Sequence, residues 1–316
     1  MRIGIIGCGI NGAYLGWKLS RKNDVTIFEQ KRKIGKEVCS GLVSERLWNF
    51  IPKNKKLIKN TINSAILHYP NKDVKLDFSP KIFVLEHKLL DRYVVSLAKK
   101  NNIKIFLNKK VTKVTQNKKP IIYARKSFEF DYVIGCDGAL SITRKSLGIE
   151  DPKYRLGMLT YVNKKDKSDF FETWPTKHGF FWRIPRGSKV EYGILERTDR
   201  AKRMFQSFLK KKKIKTRKIY SRVIPLGLTK LYKGKIALTG DACGLTKPWS
   251  GGGIIWGLLA DDILLRTFPN FRKYENEVRR LFEANIFFSN LTASLAFKIS
   301  KLPLPRKYLF DSDWVF

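Results

Sequence analysis

Three glycines near the start of the chain, Gly7, Gly9 and Gly12, stand in G-x-G-x-x-G spacing within "GCGINGAYLGWKL", and Glu29 closes the apolar run "DVTIFE" at residues 24–29. Glycines at this spacing permit a tight turn and close approach of backbone to a ligand, and the acidic residue can accept hydrogen bonds from ribose hydroxyls. The chemistry implied is dinucleotide binding, with a pyrophosphate on a helix N-terminus. The carboxylate disfavours a 2′-phosphate, which points to FAD or NAD rather than NADP. A second stretch, "KIGKEVCSGLVSERL" at 33–47, places Cys39 between Gly35 and Gly41, with Arg46 one turn into the next helix.

The elements that must position these groups can be read around them. "RIGIIG" at 2–7 is a short apolar strand, residues 12–21 have helical periodicity, and 24–29 is a second strand, which makes a βαβ unit. A helix over Leu89–Lys100 precedes the strand "IKIFL", and "YVIGCDG" at 132–138 is another apolar strand ending in a turn. Residues 62–84 and 151–225 show alternating, aromatic-rich runs such as "GFFWRIP" and "VEYGIL" instead of helical stripes. The expected fold class is therefore α/β: a Rossmann-like nucleotide-binding domain over 1–61, 85–150 and 226–270, an inserted, mostly antiparallel β-sheet substrate domain over 62–84 and 151–225, and a helical segment over 271–316. The 316 residues, 43% of them hydrophobic, are enough for a sizeable core.

Composition narrows the class. The four cysteines, Cys8, Cys39, Cys136 and Cys243, form neither a CxxC pair nor an even ladder, which argues against a disulfide framework or a zinc site. The start of the chain has no apolar core with a cleavage site, and no stretch reaches the roughly 18 apolar residues of a membrane span. A cytoplasmic protein is expected, with any membrane contact peripheral on the inner face of the cell membrane. Lys and Arg number 64 against 27 Asp and Glu, a net charge of +37. Such a field attracts nucleic acid or anionic lipid, but the basic residues are spread along a chain also rich in Ile, Asn and Phe, as compositional drift produces. No nucleic-acid-binding motif accompanies the charge, so no nucleic-acid partner is expected.

Two later segments decide between FAD and NAD. "CDGALSITRKSLG" at 136–148 and "GKIALTGDACGLTKPWSGGGIIWG" at 234–257 are strand-turn-helix pieces, each with an aspartate before or within the turn. Together with the glycine fingerprint they resemble the FAD-dependent oxidoreductases of the p-hydroxybenzoate hydroxylase type. The resemblance implies FAD as cofactor, Asp137 and Gly138 near the pyrophosphate, and Asp241 on a ribityl hydroxyl. Backbone N–H groups of Gly251, Gly252 and Gly253 at a helix start can face the flavin edge where negative charge gathers on reduction.

More narrowly, the chain resembles the geranylgeranyl reductase family, especially its archaeal members acting on digeranylgeranylglycerophospholipids. "IGKEVCSG" after Glu29, "FFWRIP" at 180–185 and the GDA-G segment before "PWSGGG" carry this resemblance. It implies saturation of C=C bonds in prenyl chains of ether lipids, and a loop bringing Cys39 and Arg46 toward cofactor or head group. Hydride to one alkene carbon and a proton to the other require positioning and a dry pocket. Phe180, Trp182, Pro185 and Trp249 are the expected substrate contacts, within an aromatic set that also includes Trp174 and Phe181. "FFWRIP" is similar as well to the W-x-W-x-I-P motif of flavin halogenases, so a monooxygenase or halogenase acting on a hydrophobic or aromatic small molecule is the alternative.

The departures concern particular residues. His87 stands where the reductase family usually has arginine, and the longer C-terminal region of some relatives is absent from this sequence. His68, His87 and His178 show no ligand spacing and read as surface or satisfied residues, with His178 the one to test as a proton donor; no metal site is expected. Cys39 and Cys243, each in a turn expected to approach the flavin, are candidates for a reversible disulfide and, with Trp182, for catalytic roles. No second G-x-G-x-x-G follows a strand, so electrons are expected from docked NAD(P)H or from ferredoxin.

Overall fold

An unbroken apolar run after its first residue makes β1 (Arg2–Ile6) suited to a strand covered on both faces, and Gly7 turns the chain into α1 (Ile10–Leu19) and back to β2 (Asp24–Phe28). The structure, a computed structural model, describes residues 1–35, 38–101, 103–299 and 307–313. Lys36 and Glu37 of the loop that carries Cys39, and residues 300–306 and 314–316 of the expected helical segment, lie outside the described residues.

After β3 (Leu42–Ser44) and α2 (Leu47–Phe50) come the long hairpin strands β4 (Ile58–Tyr69) and β5 (Lys72–Leu85), then α3 (His87–Ala98) and β6 (Lys104–Phe106). A meander of β7 (Lys113–Gln116), β8 (Pro120–Ala124) and β9 (Lys126–Glu129) leads to β10 (Tyr132–Gly135) and α4 (Ile142–Ser146). Next are β11 (Lys153–Val162), β12 (Phe170–Pro175), β13 (Phe180–Pro185), β14 (Val190–Arg197), α5 (Ala201–Lys211) and β15 (Tyr220–Leu226). The chain then runs through β16 (Tyr232–Lys233) and β17 (Ile236–Leu238) into α6 (Ile254–Thr267), α7 (Phe271–Ile299) and β18 (Lys307–Phe310).

One sheet, ordered β16-β17-β10-β1-β2-β6, is parallel apart from β16. The other, ordered β15-β11-β14-β13-β12-β4-β5-β18 with β3 on β5, is mostly antiparallel, with parallel joins at β12·β4 and β18·β5. The C-terminal segment is therefore not purely helical, because β18 returns to the substrate-side sheet. Both β18 and β3 are too short to show an alternation of their own, and β5 supplies the template for each.

Period-2 alternation on β13 decides which aromatics face the site. Phe180, Trp182 and Ile184 join one apolar cluster with Ile62, Leu159 and Leu195, whereas Phe181 joins the opposite cluster under α5. Trp182 pairs with Gly193 on β14. A Cβ built on Gly193 would sit 2.1 Å from Trp182 Cζ2, so the glycine makes room for the indole.

Candidate active site

The fingerprint glycines have distinct steric reasons. Gly7 has φ +97°, and a Cβ there would lie 2.4 Å from the Cys136 carbonyl oxygen; one on Gly12 would lie 2.0 Å from the Gly7 carbonyl oxygen. Gly9 has nothing within 4 Å of its Cβ direction, which leaves the front of the turn open. Glu29 Oε2 accepts from the Cys8 backbone N–H at 2.9 Å and Oε1 from that of Lys31 at 2.9 Å, which holds the carboxylate against the turn. Asn11, within the fingerprint, donates to the buried Asp261 at 2.8 Å and packs where side chains on Gly240 and Gly257 would collide with it. Burial pushes the Asp261 carboxyl up to about 8, against hydrogen bonds from Thr239 and Asn11. Asn11 thus locks the nucleotide turn to the "GDACG" turn, a role its sequence position did not disclose.

The "DG" segment abuts this turn. Asp137 accepts from Ser141 Oγ at 2.6 Å and from the Thr143 N–H at 2.9 Å, so its side chain caps α4. Burial raises its proton affinity, against those hydrogen bonds. What the segment can offer a pyrophosphate is its backbone at Gly138 (φ +81°), and a Cβ there would lie 3.3 Å from Arg222 Nη2. Arg222, on β15, also reaches Asp241 at 3.5 Å, and a Cβ on Gly253 would lie 3.1 Å from Asp241 Oδ1. Arg222 is thereby a cation beside Gly138, Asp241 and the start of α6, and the sequence reading missed it among many arginines. Arg144, fully buried on α4, donates to the Ala242 and Ala139 carbonyls and to Asp151, which ties the "DG" and "GD" turns together.

At the glycine-rich turn, two of the three expected N–H groups are used locally. Gly251 N–H donates to the Lys247 carbonyl at 2.8 Å and Gly252 N–H to Ser250 Oγ at 3.2 Å, while Gly253 caps α6. The C-terminal residues hold this turn in place. Lys247 Nζ donates to Asp313 Oδ1 at 2.7 Å and to the Ser312 carbonyl at 2.6 Å, and Trp256 Nε1 donates to the Asp313 carbonyl at 2.8 Å. Arg46 belongs to this strap: its guanidinium pairs with Asp311 at 2.6 and 2.7 Å and with Asp313 at 3.3 Å. The expectation that Arg46 contacts cofactor or head group is corrected, because two carboxylates far away in sequence claim it.

Opposite the turn stands an apolar wall. A Cβ on Gly251 (φ +69°) would lie 3.1 Å from Leu195 Cδ2 and 3.2 Å from Ile224 Cγ2, so the turn meets the same cluster that holds Phe180 and Trp182. Val38 and Leu42, flanking Cys39, pack on that cluster too. A buried network binds loop to wall: Trp182 Nε1 donates to Glu191 Oε1 at 2.8 Å, Arg186 Nη1 to Glu191 Oε2 at 2.9 Å, and Arg186 also to the Leu85 carbonyl at 2.7 Å and to that of Ser40. Pro185 ends β13 with its carbonyl accepting from Asn60 at 3.2 Å. Trp174 and Phe181 are corrected as wall residues: Trp174 stacks on His68 at 5.0 Å and Phe181 on Phe208 at 4.3 Å, on the α5 side. Trp249 packs edge-on against Trp256 in the nucleotide-side core, apart from the wall cluster.

The cysteines separate. None of the four is in a disulfide. Cys243 is fully buried, donates to the Gly240 carbonyl at 3.3 Å, and burial pushes its thiol up to about 12. That overturns Cys243 as a catalytic or exchangeable thiol, since a sealed, protonated sulfur neither attacks nor pairs. Cys39 is half-buried, and its sulfur accepts from the Gly41 N–H at 3.4 Å. His87 is 5% exposed and lies 3.2 Å from Asp91, which is 1% exposed, so it is not a surface residue. His178 lies in the turn between β12 and β13, and His68 bridges Asp73 and Glu172. Among the described residues no group of three or more His, Cys, Asp or Glu could hold a metal ion.

These turns fit FAD: an open, Cβ-free front at Gly9, a ribose acceptor at Glu29, an aspartate beside the start of α6, and a glycine-rich turn that meets an apolar wall. Residues 1–258 match the FAD binding domain family. Digeranylgeranylglycerophospholipid reductase 1 of Methanosphaera stadtmanae is 26% identical over 328 residues, covering 92% of this chain and 80% of that protein. The solved structure of a geranylgeranyl bacteriochlorophyll reductase-like protein of Thermoplasma acidophilum superposes with a TM-score of 0.78 at 17% identity, covering 94% of this chain and 86% of that one. A tryptophan 6-halogenase of Streptomyces toxytricini shares the fold with a TM-score of 0.71 at 13% identity, over 88% and 75% of the two chains. The chain belongs to the FAD binding domain family, as an FAD-dependent oxidoreductase.

Proposed function

We propose that the protein saturates C=C bonds in the geranylgeranyl chains of archaeal-type ether lipids. The observation that carries this reading is the shared edge between the glycine-rich turn and the apolar wall, where Gly251 meets Leu195 and Ile224 beside Trp182 and Phe180. A prenyl chain has no polar handle along its length, so only a wall of this kind can hold it, and aromatic rings add area and a π-face. FAD, when bound and reduced, supplies the hydride.

The chain's own residues supply the rest. Gly7, Gly9, Gly12 and Glu29 bind the nucleotide half, and Asp241 with the start of α6 orients the flavin half. The wall excludes water, which keeps hydride from being lost to solvent. Arg186 and Glu191 fix the Trp182 indole and, through the Ser40 and Leu85 carbonyls, the Cys39 loop. Cys39, between Val38 and Leu42 that pack on that wall, puts a protic group beside it. The net charge of +37 supports peripheral docking on an anionic membrane surface, and it suits an acidic ferredoxin or the phosphates of NAD(P)H as electron donor.

The test is anaerobic reoxidation of the dithionite-reduced protein. Digeranylgeranylglycerophospholipid should restore the oxidised flavin spectrum in a single turnover, and lipid with saturated chains should not. Reoxidation that needs oxygen and inserts an oxygen atom or halogen into an aromatic product would overturn the reading in favour of a monooxygenase or halogenase.

A further inference from the structure

Basic residues spread along a sequence read as solvated surface, but folding gathers several of them around one concavity. A cavity of about 1010 Å³ lies between the link from α4 to β11 and the link from β15 to β16. That volume is at the upper end of the roughly 300–1,000 Å³ typical of small-molecule sites. Lys153, Arg155, Arg197, Lys230, Lys233 and Arg279 line it, against two carboxylates, Glu150 and Asp151. Asp151 is already held by Arg144 at 2.6 Å, Arg197 is paired with Asp199, and Arg279 with Glu275 and Glu283. Among the described residues none of the other four cations is ion-paired, which leaves Lys153, Arg155, Lys230 and Lys233 facing Glu150.

The cavity is distinct from the cofactor turns. None of the fingerprint glycines, Gly138, Asp241 or the Gly251–Gly253 run lines it. It lies behind the GDACG turn instead: a Cβ on Gly244 (φ +80°) would sit 2.2 Å from the Gly227 carbonyl oxygen and 3.2 Å from Pro152 Cβ, and Gly227 and Pro152 both line the cavity. Two of its cations are set in place by backbone. Lys233 Nζ donates to the Leu147 carbonyl at 3.0 Å, and Arg155 Nη1 to the Pro248 carbonyl at 3.1 Å. An ammonium has three donors and a guanidinium five, so each keeps N–H groups for a ligand.

We propose that this cavity is a second binding site, separate from the cofactor site, for a small molecule bearing phosphate, held by Lys153, Arg155, Lys230 and Lys233. Phosphate oxygens accept charge-assisted hydrogen bonds from ammonium and guanidinium groups alike. Burial lowers the Arg155 pKa, with Glu196 opposing, so its charge lacks a full answer within the protein and a phosphate supplies one. A bare ion would fill only a fraction of the volume, and Ile149, Leu226 and Leu228 offer apolar surface to an organic body attached to the phosphate. The same chemistry is presented by the pyrophosphate of a nicotinamide dinucleotide and by the glycerophosphate head of a lipid. The prenyl-reductase reading stands or falls without this site, because no residue of the wall lines it.

The test is calorimetric titration of the full-length, FAD-loaded protein with inorganic pyrophosphate, NADPH and glycerophosphate. Pyrophosphate should bind saturably and more weakly as salt rises. The double reversal Lys153→Glu with Lys230→Glu should weaken it about tenfold or more, since each change turns an attraction into a repulsion. The matched reversal Lys55→Glu with Lys56→Glu, at two lysines that do not line the cavity, alters net charge equally and should leave binding nearly unchanged. NADPH binding tighter than pyrophosphate would identify a dinucleotide as the source of the phosphate, glycerophosphate binding tighter would identify a lipid head group, and neither would identify free phosphate. Should the reversed protein fail to retain FAD, Lys153→Gln with Lys230→Gln takes its place, with a loss of about fivefold. No saturable pyrophosphate binding, or equal losses in the cavity variant and the matched reversal, would overturn the proposal while leaving the prenyl-reductase test unaffected.

Discussion

Glu191 is the residue whose removal should cost the site most without touching the cofactor turns. It is fully buried, accepts from Trp182 Nε1 at 2.8 Å and pairs with Arg186 at 2.9 Å, and Arg186 is itself almost wholly buried. Glu191→Leu leaves that guanidinium without its carboxylate, a loss of about 3–5 kcal/mol, and leaves the indole N–H without an acceptor. At about 2–4 °C per kcal/mol for large domains, Tm should fall by roughly 6 °C or more. Because Arg186 also holds the Ser40 and Leu85 carbonyls, the Cys39 loop should loosen, and prenyl turnover should fall more than FAD affinity does. The assay combines thermal unfolding, FAD titration and turnover on the same preparation. The double change Arg186→Met with Glu191→Leu removes both charges and should recover part of the lost stability, since an apolar pair has no charge to desolvate. A single variant within about 1 kcal/mol of wild type would refute the network, because that is the range of surface pairs.

Further outcomes follow from the same geometry. Gly12→Ala places a methyl 2.0 Å from the Gly7 carbonyl oxygen and should abolish FAD retention on gel filtration, whereas Gly9→Ala, with open space at its Cβ direction, should matter only when FAD is bound. The His87 pKa is raised from 6.5 unfolded to about 9 folded, so its stabilisation is complete below 6.5 and lost as pH rises through 9; urea unfolding should show a loss of about 3 kcal/mol over that window that His87→Gln lacks. Asp313→Asn weakens the links to Lys247, Arg46 and Ser44 at once and should lower Tm and FAD affinity together, which FAD titration during thermal unfolding would show.

The nucleotide half was legible because its constraints are local. Gly12 and Glu29 act within one βαβ unit, so spacing alone locates them, and Gly7 turns the chain in that unit while also meeting the Cys136 carbonyl. Alternation on β13 was legible as a strand, but which aromatics face the site depends on where α5 packs, and Phe181 and Trp174 went to that side. Arg222 could not be told from the other basic residues, and the partners of Arg46 were not legible, since Asp241, Asp311 and Asp313 reach these arginines only through tertiary folding. Glu191 and Arg186 are five residues apart on neighbouring parts of a hairpin, and nothing in their spacing says that both point inward. Asn11 acts through Asp261, which lies 250 positions away. The equivalence expected of Cys39 and Cys243 failed for the same reason: both sit in glycine turns, but one turn faces the wall and the other closes over a sealed core.

The measurement that bears most directly on the account is the mass of the lipid after incubation with the purified, chemically reduced flavoprotein. Digeranylgeranylglycerophospholipid should gain mass in steps of two hydrogens, each step lost when Glu191→Leu loosens the wall. Lipid of unchanged mass, with FAD bound and reducible and the wall intact, would contradict the account.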